Sequence, residues 1–178
     1  ATAIRSMVSG SRFLANPRIS PDGSRLAWIA WDHPNMPWDG TELRVGRIDD
    51  GVVAKYETLG GGTSESMLQP EWASDDALYA ISDSTGWWNL YRFALDGAVT
   101  PLHRMEADIG APMWGLAMRW YSVLHDGRML FVSTIGTDSL AILDPATGSV
   151  EHVDVDLDSL SLRAVYGSRV LLTCGSAR

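Results

Sequence analysis

The sequence predicts an all-β fold, a β-propeller fragment of about three and a half four-stranded antiparallel blades, and three observations carry that prediction. Short apolar stretches alternate with turn residues throughout, with 17 glycines in 178 residues. Asp-Gly pairs recur at 22–23, 39–40, 50–51, 96–97 and 126–127. Between apolar runs they signal hairpins, because glycine takes a positive φ with no Cβ clash. The hairpin pattern also repeats, 53 residues from Pro17 to Pro70 and 51 from Ala77 to Arg128. Four strands at a period of ~40–50 residues is the signature of propeller blades. No long stretch holds a helical period.

The elements follow in order. Pro17 to Gly23 is a turn, and Arg25 to Trp31 a strand; Thr41–Ile48 and Val52–Thr58 form the second hairpin, around Asp49-Asp50-Gly51. The pattern returns as Pro70–Asp76, strand Ala77–Ser82, then Asn89–Leu95 and Ala98–Leu102 around Asp96-Gly97. Ala73-Ser74-Asp75-Asp76 lacks the proline and glycine of its counterpart, so a different turn is expected there. A third copy runs Trp120–Gly127, strand Arg128–Ser133, then Ser139–Leu143 and Ser149–Val153; a partial fourth runs Leu162–Ser168 and Arg169–Cys174. The expected blades are therefore 16–58, 69–102, 116–153 and an incomplete 160–178. Gly60-Gly61-Gly62 reads as a relaxed inter-blade loop. Complete propellers have ~4–8 blades, so this many cannot close a ring. Bare end blades would expose apolar faces and unpaired edges, which makes self-association through open blade edges an expectation.

Composition narrows the function. The formal net charge is −8 and the estimated pI 4.8. Nucleic-acid binding needs Lys and Arg clusters that release counterions, and none occurs, so no nucleic-acid role is expected. No stretch approaches the ~20 apolar residues that cross a bilayer as a helix, and no membrane role is expected. The single cysteine, Cys174, permits no intrachain disulfide. It fits a reducing compartment and a cytoplasmic location. Its apolar run suggests a buried position. The N-terminus lacks a signal pattern, and both ends read as cuts.

Catalytic machinery is not expected in this chain. There is no Gly-x-Ser-x-Gly elbow and no phosphate-cradling Gly-x-x-x-x-Gly-Lys-Ser/Thr. His33, His103, His125 and His152 are scattered, where zinc needs three or four convergent ligands. Asp154, Asp156 and Asp158 lack the glycine and glutamate of a calcium loop and read as one solvated strand edge. Neither metal nor cofactor is expected.

Two segments rise above scaffold. Trp31-Asp32-His33-Pro34-Asn35-Met36-Pro37-Trp38-Asp39-Gly40 joins the second and third strands of its blade, and Asp83-Ser84-Thr85-Gly86-Trp87-Trp88-Asn89 stands at the equivalent place one blade later. Loops of one type emerge on one face, so the two should form an acidic and aromatic rim. Asp32, Trp38, Asp39, Trp87 and Trp88 are the candidate contacts to substrate or to another domain. The competing reading is that the tryptophans wedge between blades and the aspartates cap turns.

These strings resemble a known family. Ser20–Trp28, Trp31–Leu43, Gln69-Pro70-Glu71-Trp72 and Asp83–Arg92 are similar to the N-terminal propeller of prolyl oligopeptidase-family serine peptidases, in the acylaminoacyl-peptidase and dipeptidyl-aminopeptidase-like branch. The similarity is strongest over residues 16–102. It implies a larger enzyme whose propeller caps a C-terminal α/β-hydrolase domain and restricts access to short peptides. The hydrolase domain, absent here, would supply the catalytic residues and the peptide-substrate site. The alternative is a stand-alone TolB-like propeller that binds proteins.

Overall fold

The structure, a computed structural model, describes residues 4–167 and 169–176. It contains three four-stranded antiparallel sheets and a two-stranded one, each strand pairing with its sequence neighbours. Blade 1 holds β1 (Phe13–Ile19), β2 (Arg25–Trp31), β3 (Glu42–Arg47) and β4 (Tyr56–Gly61). Blade 2 holds β5 (Met67–Ser74), β6 (Ala77–Ser82), β7 (Asn89–Ala94) and β8 (Val99–His103). Blade 3 holds β9 (Tyr121–Val123), β10 (Met129–Ile135), β11 (Thr137–Leu143) and β12 (Val150–Val153), and β13 (Ser159–Tyr166) pairs with β14 (Arg169–Gly175).

The second strand of each blade explains the stacking. Successive side chains on a strand point to opposite faces. In β2, Ala27 and Ile29 pack with residues of blade 2, while Leu26, Trp28 and Ala30 join Val53 on the outer face. In β6, Leu78 and Ala80 face blade 1 and Ile81 faces blade 3. In β10, Met129 and Phe131 face blade 2 and Leu130 and Val132 face the last hairpin. Such strands are apolar on both sides because both sides are covered.

The two ends of the stack differ. The outer face of blade 1 is not bare: Trp28 is 1% exposed. Tyr56 meets its ring edge to face, Val8 of the N-terminal segment packs beside it, and the N–H of Val53 donates to the carbonyl of Met7. At the other end Leu171 and Tyr166 are exposed, and so is Cys174. The expected burial of Cys174 is thereby corrected: no further blade covers that strand among the described residues.

Two other details depart from expectation, and a third agrees with it. The glycine loop is shorter than expected, since Gly60 and Gly61 belong to β4. A side chain at Gly60 would sit 2.7 Å from the Phe93 ring, so glycine lets β4 approach blade 2. Asp154, Asp156 and Asp158 lie in the β12–β13 connection rather than on a strand, exposed in alternation with half-buried Val155 and Leu157. The blade 2 turn is indeed different: β5 and β6 are joined by Asp75 and Asp76 alone, with Ser74 opposite Ala77.

Candidate functional site

Antiparallel strands in sequence order send alternate connections to opposite ends of a blade. The Asp-Gly turns at 22–23, 50–51, 96–97 and 126–127 share one end. The β2–β3 loop, the β4–β5 linker, the β6–β7 loop and the β8–β9 connection share the other, which is the candidate site.

In the β2–β3 loop the residues divide into two groups. Asp32 accepts the backbone N–H of Arg12 at 2.7 Å, and that bond holds its carboxyl below the usual range. It lines a cavity of about 160 Å³ with His33, Glu42 and Arg44. Asp39 accepts the N–H of Met36 at 2.8 Å. Gly40 packs so closely on the β4–β5 linker that a Cβ would lie 2.5 Å from the carbonyl of Gly62. Trp38 turns the other way and meets Trp114, ring centroids 4.4 Å apart and tilted 47°.

The β6–β7 loop is held in a parallel manner. Asp83 accepts the N–H of Ser66 at 2.7 Å, as Asp32 accepts that of Arg12. Burial and the nearby Glu65 and Asp108 push the Asp83 carboxyl up. Trp87 is half-buried. Trp88 is also half-buried and packs against the core shared by blades 2 and 3. Its backbone N–H donates to Asp108 at 2.9 Å, and its carbonyl accepts from Ile109 at 2.8 Å.

The two loops meet through Ser66. This buried residue donates its hydroxyl to the carbonyl of Pro37 at 2.9 Å and its N–H to Asp83. Thr41 adds a second tie, donating to and accepting from the backbone of Met67. The expected juxtaposition of the two segments is thus present, mediated by Ser66. Trp38 is paired with Trp114 rather than with Trp87 or Trp88.

Sequence reasoning missed the β8–β9 connection, Arg104 to Trp120. It exceeds the ~12–15 residues usual for a loop without secondary structure, which in a compact domain points to function. That length was the available signal. Asn89 anchors its start, donating to the carbonyls of Met105 and Ala107 and accepting the N–H of Met105. Asp108 then exchanges backbone hydrogen bonds with Thr134 of blade 3. Trp114 and Leu116 then stand 77% and 79% exposed. Among the described residues no three His, Cys, Asp or Glu side chains converge to hold a metal.

No protein-family model and no curated protein matches the chain. Solved structures do. A Mycobacterium tuberculosis puromycin-hydrolyzing peptidase is 39% identical over 90% of this chain, with a TM-score of 0.86. A puromycin hydrolase mutant complexed with PGG is 40% identical over 97%, with a TM-score of 0.89. The chain belongs to the propeller region of the prolyl oligopeptidase family of peptidases. The chain spans only about a quarter of the length of those two proteins, 25% and 27%. Prolyl oligopeptidase B from Galerina marginata, 12% identical over 84% of this chain and 20% of its own (TM-score 0.65), shares the fold alone. So does TolB from Acinetobacter baumannii, 20% identical over 91% of this chain and 40% of its own (TM-score 0.57).

Proposed function

We propose that the chain is the substrate-gating propeller region of a longer serine peptidase that hydrolyses short peptides or peptide-like amides, of acyl-aminoacyl or aminopeptidase type. The likeness to puromycin-hydrolysing peptidases over at least nine-tenths of the chain carries this reading. The rim supports it. The β2–β3 loop, β6–β7 loop and β8–β9 connection are pinned to one another by buried and half-buried hydrogen bonds and still present Trp38, Asp39 and Trp87 toward solvent to varying degrees. A gate needs this combination, since positioned side chains discriminate only when their supports are fixed. Catalysis would come from chain outside these residues.

The test uses the full-length protein and a set of short peptide amides. Trp38→Ala or Asp39→Ala is expected to lower kcat/KM about tenfold, equivalent to ~1.4 kcal/mol of transition-state binding, with the melting temperature maintained. Unchanged kinetics in stable variants would take this rim out of the substrate path. A stand-alone binding propeller remains the rival, favoured by the shared fold of TolB. A reading frame that ends after the last blade, with no Gly-x-Ser-x-Gly downstream, would decide for that rival.

A further inference from the structure

We propose that the cleft between the outer strands of blade 1 and the end of β7 in blade 2, at the Asp-Gly end of the blades, binds an oligophosphate group, two or three phosphates in a row. The site uses none of the rim residues and does not depend on the peptidase reading.

Strand register builds it. Arg25 and Arg47 are direct partners on β2 and β3, and Gly46 pairs with Tyr56, which sets Lys55 beside Arg47 where the chain enters β4. Ala27 and Val45, two residues along from the arginines, pack with Leu78 of blade 2. Alternate residues share a face, so Arg25 and Arg47 stand on the face turned to blade 2. Gly46 brings Lys55 in. A Cβ at that position would lie 2.4 Å from the Lys55 carbonyl oxygen, and a larger residue would push the start of β4 away. The three cations line one cleft of about 980 Å³, in which Val45 and, from blade 2, Leu95 supply apolar surface.

Charge points to the occupant. The chain carries 22 acidic residues against 14 Lys and Arg. Even so, Arg25, Arg47 and Lys55 form no ion pair among the described residues. The Arg25 guanidinium makes one long hydrogen bond, to the Asp75 carbonyl at 3.4 Å. Of the carboxylates near Arg25, Asp22 is taken up by Ser20 and Ser24, and Asp75 by the N–H of Asp22. Asp49 and Glu57 also line the cleft, and Glu57 lies opposite Val45, one row from the cations. Three positive charges thus face two negative ones, and Arg25 and Arg47 repel across the strands. Like charges directly opposite one another cost stability, and a bound anion removes that cost.

Geometry selects the length of the anion. Arginine matches phosphate oxygens with a planar fork of donors. Neighbouring strands are ~4.8 Å apart, so the three cations spread over roughly 10 Å. A single phosphate meets one or two of them, and a run of two or three phosphates meets all three.

Calorimetric titration of the full-length protein at about 0.15 M salt tests this, with tripolyphosphate, orthophosphate and ATP as probes. Tripolyphosphate is expected to bind about tenfold or more tighter than orthophosphate, the effect of at least one added charge-assisted contact. Arg47→Gln and Lys55→Gln are each expected to weaken tripolyphosphate binding about tenfold, and Glu57→Gln to tighten it about threefold. All three side chains are exposed, and unchanged melting temperatures would confirm that the variants fold. Arg163→Gln, on exposed β13, is expected to leave the affinity as it is. No saturable heat with tripolyphosphate, equal affinity for orthophosphate, or an Arg47→Gln variant that binds as the parent does overturns the site. So does an Arg163→Gln variant that weakens binding as much as Arg47→Gln. ATP binding tighter than tripolyphosphate supports the site with a nucleotide as its source of phosphates, and the reverse order supports it with an inorganic one.

Discussion

The junction between blades 1 and 2 and the junction between blades 2 and 3 begin with the same backbone device and complete it differently. Asn16-Pro17-Arg18 and Gln69-Pro70-Glu71 each place a non-glycine residue at positive φ, 51° and 44°, inside a bulge of the first strand. The Gln69 amide then spans to blade 3. Its nitrogen donates to the carbonyl of Tyr121 at 2.7 Å, its oxygen accepts the N–H of Trp120 at 2.7 Å, and the Tyr121 hydroxyl donates back to the Gln69 carbonyl at 2.9 Å. Asn16, one methylene shorter and also buried, finds no partner for either amide atom among the described residues. Blade 1 is instead tied to blade 2 by Arg18, whose guanidinium forks onto Glu71 at 2.9 and 3.0 Å, and by the Trp72 indole N–H on the Arg18 carbonyl. Blade repetition fixes the backbone, and side-chain length decides whether a junction closes by a dry amide clasp or by a partly wet ion pair. Removing the amide from the clasp leaves a buried N–H and a buried carbonyl without partners, at about 1–3 kcal/mol each.

Breaking the clasp therefore gives the largest expected effect. Gln69→Leu keeps the volume and leaves the Trp120 N–H and Tyr121 carbonyl unpaired. A loss of about 3 kcal/mol in urea-unfolding free energy is expected. A loss within the error of a surface substitution would show that the amide couples nothing. The same change at the other junction runs in reverse. Asn16→Gln supplies the missing methylene, and a gain of about 1 kcal/mol is expected if its amide reaches blade 2 as Gln69 reaches blade 3. A loss would place the difference between the junctions in the spacing of the blades rather than in the length of the side chain.

Much of this fold is legible in the sequence, because a strand covered on both faces writes a continuous apolar run and a hairpin writes Asp-Gly. Arg25 to Trp31 has the bounds expected of it, and Pro17 and Pro70 align on the correct offset. What precedes those prolines is not legible: nothing in the type of Asn16 or Gln69 announces a positive φ or a partner some fifty residues onward. The rim is half legible for the same reason. Asp32 and Asp83 stand at the same place in successive blades, so their shared role, accepting a backbone N–H from the start of their own blade, follows from the repeat. Trp114 belongs to an irregular connection with no counterpart, and its meeting with Trp38 depends on distances that only the folded chain sets. Cys174 misled because a buried-strand composition does not tell whether a neighbouring blade covers the strand, and among the described residues none does.

Asp32 and Asp83 also sharpen the comparison of blades at the smallest scale, because the same hydrogen bond sits in two electrostatic settings. The exposed Asp32 carboxyl is held below its ordinary value of 3.8 by the Arg12 N–H. Its contribution to stability is present above 3.8 and is lost as pH falls through the lower folded value. Asp83 is raised above 3.8 by burial first, and then by Glu65 and Asp108. Its contribution is complete below 3.8 and is lost as pH rises through the higher folded value. Asparagine at either position keeps an oxygen for the backbone N–H and removes the titration. Asp83→Asn is thus expected to raise the melting temperature at pH 7, by roughly 2 °C for a chain of this size, and to have no such effect at pH 3. Asp32→Asn is expected to lower it slightly at pH 7, with the difference disappearing toward pH 3. Thermal melts of both variants across that range check the signs. Slopes of the same sign would mean that the negative charge of Glu65 and Asp108 near Asp83 is compensated, and that the rim of blade 2 holds no more negative field than the rim of blade 1.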